Sequence, residues 1–325
     1  MFRVIAGAVA ATALSCLAVA GARGQERAPP PPWAYARIDP GVKPPANDGI
    51  KMAVPGSSAA FTRTQLFDLF AANDWFPGDH PVMPEVVVHG RKPDVRACGM
   101  CHLPNGQGRP ESAALAGLPA SYIERQVADY KSGRRRSAAA DLRPHTLMLE
   151  TVVHADEGEI KAAAAYFSSL TYRPWIRVEE TGLVPKSEVV WGSMWAARAG
   201  APMEPIGQRI VELPVDLERA ELRDPRSGFI AYVPVGSIAK GAALAAATRG
   251  DLAPPCATCH GPELRGIDPA PPIAGRATSY IVRQLFDIQS GARAGEAADL
   301  MKPVVAGMTM ADMIAVAAYV ASRAP

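Results

Sequence analysis

The chain has 325 residues, and its 34 Lys and Arg nearly balance its 32 Asp and Glu, which leaves a formal net charge of +2. This balance excludes the strongly basic surface that is typical of nucleic-acid-binding proteins. The length allows two or three compact domains, and abundant alanine with only 6% aromatic residues favours small helical domains over a large sheet.

The N-terminus is typical of a secretory signal peptide. Arg3 provides a short positive region, residues 4–20 carry no charge, and small residues suited to cleavage follow. We therefore predict a signal peptide over residues 1–24 and an exported mature chain, with an uncleaved membrane anchor as the alternative. Cys16 follows a poor lipobox, which disfavours a lipoprotein. No later stretch is long and apolar enough to cross a membrane.

The segment after the signal peptide is rich in proline. Residues 25–61 are therefore expected to form an extended, irregular arm laid over the first domain. The pattern of residues 62–72 then predicts a helix that is capped by Thr62 or Thr64.

Two pentapeptides of the form Cys-x-x-Cys-His follow, and this is the attachment sequence for c-type haem. Two thiols three residues apart on one helical turn can form thioethers to the same porphyrin, and the adjacent His then lies where it can bind the iron as the proximal ligand. The fifth cysteine lies in the signal peptide, so none remains for a disulfide or a zinc site. The predicted haem-binding residues are Cys98, Cys101, His102, Cys256, Cys259 and His260.

The surroundings of the two pentapeptides are also repeated. A Ser-Tyr-Ile triplet begins 19 residues after each His, an Ala-Tyr pair follows further on, and Met148 in the first copy corresponds to Met301 in the second. This is a tandem repeat of roughly 100 residues. We predict one domain over residues 62–171 and another over residues 237–325, with one haem in each.

Capping signals predict the helices of each repeat. One helix should begin with Ser121, or with Ser279 in the second copy, as N-cap and should end before a glycine at C′. The last helix of each repeat should begin with a capping box, formed by Asp156 and Glu159 in the first copy. Its counterpart in the second copy is formed by Thr309 and Asp312.

Residues 172–236 belong to neither copy. They hold three of the five tryptophans and two β-like runs, at 210–213 and 229–233. We predict a packed linker with a small hairpin, because the tryptophans need partners that bury them. The basic run at 134–136 is interpreted as a solvated loop, with docking of an acidic redox partner as the alternative.

The two repeats resemble class I cytochromes c, and the pair resembles the diheme cytochromes c of exported bacterial electron-transfer chains. The resemblance implies a mainly α fold, in which two tandem domains each wrap a haem. It also implies His102 and His260 as proximal ligands and Met148 and Met301 as distal ligands. Pro272 matches the proline whose carbonyl accepts the proximal His N–H, and the first repeat has Ala114 there.

Alternatives remain for both distal ligands. His145 precedes Met148 by three residues, and a His/His site would have a lower potential than a His/Met site. In the second repeat the other candidates are Met308, Met310 and Met313.

The sequence thus predicts a periplasmic electron carrier with two covalently bound haem c groups and no catalytic residues of its own. Its partners would be a dehydrogenase-type donor and a terminal oxidase or another cytochrome as acceptor. One alternative is the cytochrome subunit of an oxidoreductase complex, docked through the linker and the arm. The others are a catalytic haem enzyme, which needs an open distal site, and a haem-free module in which the cysteines bind zinc or form disulfides.

Overall fold

The structure is a computed structural model, and it describes residue 1 and residues 28–44, 46, 48–248 and 253–325. Apart from its first residue, the predicted signal peptide lies outside the described residues. Within them, no helix combines the length and the apolar character that a membrane span requires.

Helices dominate the two repeats, and most of the strands lie between them. The helices are α1 (Arg63–Leu66), α2 (Glu85–Val88), α3 (Cys98–His102), α4 (Ala120–Lys131), α5 (Arg143–Val152), α6 (Glu157–Ser169), α7 (Leu217–Glu221), α8 (Ser237–Ala246), α9 (Cys256–His260), α10 (Thr278–Gln289), α11 (Glu296–Asp299), α12 (Lys302–Ala306) and α13 (Met310–Ala321). The strands are β1 (Lys51–Met52), β2 (Phe61–Thr62), β3 (Ile176–Glu180), β4 (Leu183–Pro185), β5 (Ser187–Val190), β6 (Met194–Ala197), β7 (Met203–Pro205), β8 (Val211–Pro214) and β9 (Phe229–Val233).

Each repeat forms a helical unit around its own apolar core. In the first unit α4 packs against α6, and buried residues such as Val87, Ala164 and Phe167 fill the space between the helices. In the second unit α13 packs against α8 and α10, around Met313 and Val282. The prediction of a mainly α fold with two tandem cytochrome-like units is confirmed.

The last helix of each unit begins with the predicted capping box. The Asp156 carboxylate accepts the Glu159 N–H, and the Glu159 carboxylate accepts the Asp156 N–H, both at 2.8 Å. Thr309 and Asp312 form the same reciprocal pair at the start of α13. These bonds satisfy N–H groups that have no partner inside the helix.

The predicted serine N-caps are wrong, because both helices begin one residue before the serine. Pro119 precedes α4, and the Ser121 hydroxyl donates instead to Asp268 of the second unit, at 3.1 Å. Ala277 precedes α10, whose first N–H groups are taken by a carboxylate from another part of the chain. The predicted C′ glycines are correct, with Gly133 at φ 69° and Gly291 at φ 74°.

The helix predicted over residues 62–72 is also too long. Thr62 caps it as expected, but α1 ends at Leu66. The carboxylate of Asp68 accepts the N–H of Phe70 at 2.9 Å, a local turn that competes with the helix. The chain then turns so that the Ala72 N–H donates to the Val88 carbonyl at 2.7 Å.

The proline-rich arm lies over both units, whereas the first unit alone was expected to hold it. Tyr35 is buried in the core of the second unit, and its hydroxyl donates to Asp287 at 2.6 Å. Arg283 donates to the Ala34 carbonyl beside it at 2.8 Å. Farther along, Phe61 packs edge-on against Trp75 of the first unit, with ring centroids 4.6 Å apart.

Residues 172–236 form a compact region with several strands, here called the β insert. The two predicted runs do pair, as antiparallel β8 and β9, and β3 adds to β9 in parallel. They are not a tight hairpin, because α7 lies between them in the chain. Two further antiparallel pairs, β4 with β7 and β5 with β6, complete the insert.

A buried carboxylate joins the β insert to the second unit. Glu212 on β8 accepts the N–H groups of Thr278 at 3.0 Å and Ser279 at 3.2 Å, and it also accepts the Ser279 hydroxyl proton. It thereby replaces the missing N-cap of α10. Burial raises the pKa of this carboxyl above its usual range.

The contact between α8 and α13 depends on Gly241. A Cβ atom there would lie 1.9 Å from the Ala315 carbonyl oxygen and 2.7 Å from Tyr319 Cβ, so the helices would have to separate.

We expect Gly241→Ala to lower the free energy of unfolding by about 2 kcal/mol, although alanine normally favours a helix interior. Denaturant unfolding measures the effect. Gly307→Ala, where a Cβ would meet nothing within 4 Å, is the control and should not destabilise.

A second prediction concerns Asp312, the third residue of α13, whose carboxylate accepts the Thr309 N–H in the capping box and pairs with Lys240 of α8 at 2.8 Å. Hydrogen bonds from Lys240 and Thr309 lower the pKa of this carboxyl to about 2. Because the pKa is lower in the folded chain, the stabilisation is present above the unfolded pKa and disappears as the pH falls towards 2.

We therefore expect Asp312→Asn to cost about 1 kcal/mol of unfolding free energy at pH 7. The difference from the unaltered protein should shrink between about pH 4 and pH 2. Denaturant unfolding at a series of pH values checks this, and a difference that stayed constant with pH would contradict it. Asp299→Asn, which breaks an exposed pair with Lys302, should have little effect.

Candidate haem sites

Each Cys-x-x-Cys-His sequence forms a single helical turn with the same surroundings. His102 at the end of α3 donates its Nδ1–H to the Ala113 carbonyl at 2.7 Å. His260 at the end of α9 donates to the Pro271 carbonyl at 2.8 Å. In both units the acceptor is 11 residues after the histidine, and the bond leaves Nε2 available as a metal ligand.

The predicted acceptors, Pro272 and Ala114, are therefore wrong by one residue. The peptide bond before Pro272 does face the ring, but its oxygen belongs to Pro271. Because any backbone carbonyl can accept this bond, the replacement of proline by alanine leaves the first unit with an equivalent bond. Burial lowers the pKa of both His102 and His260, which keeps each imidazole in the neutral form that binds a metal.

A deep cavity lies beside the first attachment helix. It contains about 1560 Å³ of empty space, including its mouth, and Cys98, Cys101 and His102 line it. Its other walls include apolar residues of α4 and α6, among them Ile123 and Phe167. A neutral imidazole, two thiols on one turn and apolar walls fit a covalently attached haem.

Burial raises the pKa of the Cys98 thiol to about 12. Redox-active and metal-binding cysteines need the thiolate, which a lowered pKa favours. Cys98 is therefore a thiol at neutral pH, which disfavours a redox-active thiolate at this position.

Met148 lines the same cavity from within α5. Arg96, two residues before the attachment helix, holds α5 beside the cavity. Its guanidinium donates to Glu150 at 2.7 Å and to Thr151 Oγ1 at 3.3 Å. Hydrogen bonds thus link the helix that carries Met148 to the segment that carries His102.

His145 also lines the cavity, from the first turns of α5. Its ring lies 5.3 Å from that of Tyr130, and burial, followed by the charge of Arg135, lowers its pKa to about 4. A neutral His145 is a competent ligand by chemistry. The structure therefore brings both candidates, Met148 and His145, to the first site.

The second site is more exposed than the first. Residues 257–259 of α9 are exposed, whereas Gly99 and Met100 of α3 are buried. Met301 is half-buried, immediately precedes α12 and packs against the core of the second unit.

The structure weighs against two of the alternatives to Met301. Met308 and Met313 are buried members of the apolar core. Met310 is the first residue of α13 and also packs against the core. Met301 and Met310 are both half-buried against that core, so both stay candidates for the second site, and Met301 is the one that precedes the last helix.

Two arginines form a hydrogen-bond network between the two units that was not predicted from the sequence. Arg135 of the first unit donates to Gln126 of its own unit at 2.7 Å and to Tyr280 of the second at 3.2 Å. Arg293 of the second unit donates to Gln284 of its own unit at 2.9 Å and to Tyr122 of the first at 3.0 Å. The two sets are related by the repeat.

The repeat offset contained a signal for this network. Arg135 and Arg293 are 158 positions apart, which is also the separation of His102 and His260. The interpretation of residues 134–136 as a solvated loop is wrong for Arg135, which is buried. The backbone there pairs with the second unit, since the Arg136 N–H donates to the Ala292 carbonyl at 2.8 Å.

We expect Arg135→Gln to lower the free energy of unfolding by about 2 kcal/mol, because it leaves buried acceptors without a charged donor. Arg136→Gln is the matched control. It removes an exposed guanidinium whose Nε donates to the Gly133 carbonyl at 2.9 Å and should cost less than about 1 kcal/mol. Equal losses in denaturant unfolding would show that Arg135 has no special role in joining the units.

Comparison with known proteins gives a family. The family model for cytochrome c matches residues 90–171 and 238–324. Together these segments make up just over half of the chain. The β insert lies between the two matched segments.

The chain is also similar to individual proteins, at low sequence identity over more than two thirds of its length. The chain is 23% identical over 228 residues to cytochrome c4 of Azotobacter vinelandii, covering 69% of this chain and 82% of the relative. It is 26% identical over 234 residues to a thiosulfate dehydrogenase electron acceptor of Thiomonas intermedia (strain K12), covering 71% and 80%.

Among solved structures, reduced recombinant cytochrome c4 from Pseudomonas stutzeri aligns with a TM-score of 0.46 at 21% identity, covering 70% of this chain and 93% of that one. The thiosulfate dehydrogenase TsdBA from Marichromatium purpuratum aligns with a TM-score of 0.46 at 26% identity, covering 70% and 36%. The family match coincides with the two helical units and includes both attachment sequences. The chain therefore belongs to the cytochrome c family and is a diheme electron-transfer protein with two covalently bound haem c groups.

Proposed function

We propose that the protein is a periplasmic carrier that passes single electrons from a dehydrogenase-type donor to an oxidase or another cytochrome. One observation carries the proposal. Each attachment helix has its histidine anchored through Nδ1 to a carbonyl, Met148 lines the same cavity as His102, and Met301 is half-buried before α12 in the second unit. Six-coordinate sites of this kind have no open position for a substrate. The predicted signal peptide supports the periplasmic location.

The proposed ligand pairs are His102 with Met148 and His260 with Met301. Cys98, Cys101, Cys256 and Cys259 hold the porphyrins through thioether bonds. When bound, each haem supplies one-electron exchange between the ferrous and ferric states of its iron.

The protein residues set the conditions for that exchange. The carbonyls of Ala113 and Pro271 fix the imidazole rings and raise their basicity. The methionine sulfur, as a soft ligand, favours the reduced state and raises the potential. Apolar walls such as Ile123 and Phe167 limit the access of water to the first site.

A second candidate function is that of a dedicated electron-accepting subunit of a dehydrogenase. Two relatives carry the name thiosulfate dehydrogenase electron acceptor. The β insert is outside both family matches, and Leu183 and Met203 on its paired strands β4 and β7 are exposed. Isolation of the protein from its native host without any dehydrogenase would argue against this second function.

A spectroelectrochemical titration of haem-loaded protein tests the proposal. We expect two covalent low-spin haems with potentials typical of His/Met ligation. Met148→His and Met301→His should each lower one potential and leave the other unchanged, because imidazole replaces the soft sulfur.

His145→Phe is the control for the first site, and it should leave both spectra unchanged. A changed first haem in this variant, together with an unchanged one in Met148→Leu, would make His145 the ligand. A high-spin haem in the unaltered protein would contradict the carrier function and favour a catalytic haem.

A further inference from the structure

The β insert reaches the first haem attachment helix through one short segment, residues 222–226. Leu222 is buried in a cluster with Leu66 and Trp75 of the first unit. The Leu222 carbonyl accepts the indole N–H of Trp75 at 2.8 Å. The segment is therefore anchored on the first unit from both its side chain and its backbone.

Arg223 extends from this segment to the helix itself. Its guanidinium donates from Nη1 to the Met100 carbonyl at 3.0 Å and from Nε to the Leu66 carbonyl at 3.2 Å. Met100 lies between the two cysteines that would hold the porphyrin. Arg223 has φ 60°, a backbone conformation that is uncommon for a residue with a side chain. The surrounding contacts hold this residue in that conformation.

The charge of Arg223 is buried, since only 8% of the residue is exposed. Among the described residues, its hydrogen bonds are to two carbonyl oxygens and none is to a carboxylate. The nearby Glu111 pairs with Arg109, whose guanidinium also donates to the Ala220 carbonyl of the insert at 3.2 Å. Burial and the charge of Arg109 lower the pKa of Arg223 to about 10, so it remains protonated at neutral pH.

Within the described part of the chain, the second attachment helix has no equivalent of this arginine contact. At the repeat offset of 158, Met100 corresponds to Thr258, which is exposed. The β insert thus contacts the first attachment helix but leaves residues of the second exposed. It covers one helix and places a positive charge against it, whereas residues 257–259 of the other face solvent.

We propose that Arg223 is a positioning residue of the first haem, which holds the attachment helix and raises the potential of that haem. This inference rests on the proposed function, in which both irons have the same pair of ligands. Oxidation adds a positive charge to the iron, and a buried cation nearby opposes that change. The first haem is then the site that an electron occupies first, and the second is the site that faces partners.

The test is a spectroelectrochemical titration of haem-loaded Arg223→Met, Arg223→Lys and Arg226→Met. We expect Arg223→Met to lower the ferrous-to-ferric ratio of the first haem roughly tenfold at a fixed applied potential, which corresponds to about 59 mV for one electron. The second haem should be unchanged. Arg223→Lys should retain most of the unaltered potential because it retains the charge.

Arg226→Met is the matched control. Arg226 lies on the same segment, but it is exposed and its guanidinium pairs with Asp79 at 2.7 Å on the surface. This variant weakens the docking of the insert without removing the buried charge, so both potentials should stay as they are. The first haem is identified by its further shift when Met148→His is added.

Three results would overturn the inference: an unchanged first potential in Arg223→Met, equal shifts of both haems, or an equal shift in Arg226→Met. If Arg223→Met loses the first haem, Arg223→Gln, which keeps an N–H donor without the charge, provides the same test. A failure of the proposed function is distinct, because it would be visible as a high-spin haem in the unaltered protein. The effect of Arg223 is then still judged from the shift of the first potential.

Discussion

Attachment of haem c to a Cys-x-x-Cys-His sequence requires two cysteines and a histidine on a single helical turn, and the rest of each unit depends on this constraint. A turn of five residues cannot hold an imidazole in a fixed orientation alone. The chain therefore returns 11 residues later, where a carbonyl accepts the Nδ1–H of each histidine. The longer helices α6 and α13 then pack behind this loop and supply the apolar core.

Duplication of that unit created an interface as well as a second site. Arg135 and Arg293 occupy equivalent places, and each bonds to a tyrosine of the opposite unit. Because both arginines are charged and buried or half-buried, their partners must be present on both sides at once. The interface is therefore specific in its geometry, and it holds the two haem sites in a defined relation.

The β insert makes the two similar units unequal. It caps α10 of the second unit through Glu212, and it covers α3 of the first unit through Arg223. A duplicated pair of sites would otherwise differ only through small substitutions. An added region that contacts one attachment helix gives the protein a way to separate the two potentials without a change of ligands.

The sequence by itself determined the features that depend on local spacing. The two Cys-x-x-Cys-His turns, the repeat, the capping boxes at Asp156 and Thr309 and the mainly α fold all follow from short-range chemistry. The tertiary structure decided what depends on long-range contacts. It decided the burial of Arg135, the replacement of serine caps by Glu212, and the contact of Arg223 with Met100. Their partners lie 66 to 145 positions away along the chain. No local pattern of residues encodes such a pairing, because only the packed fold brings these groups together.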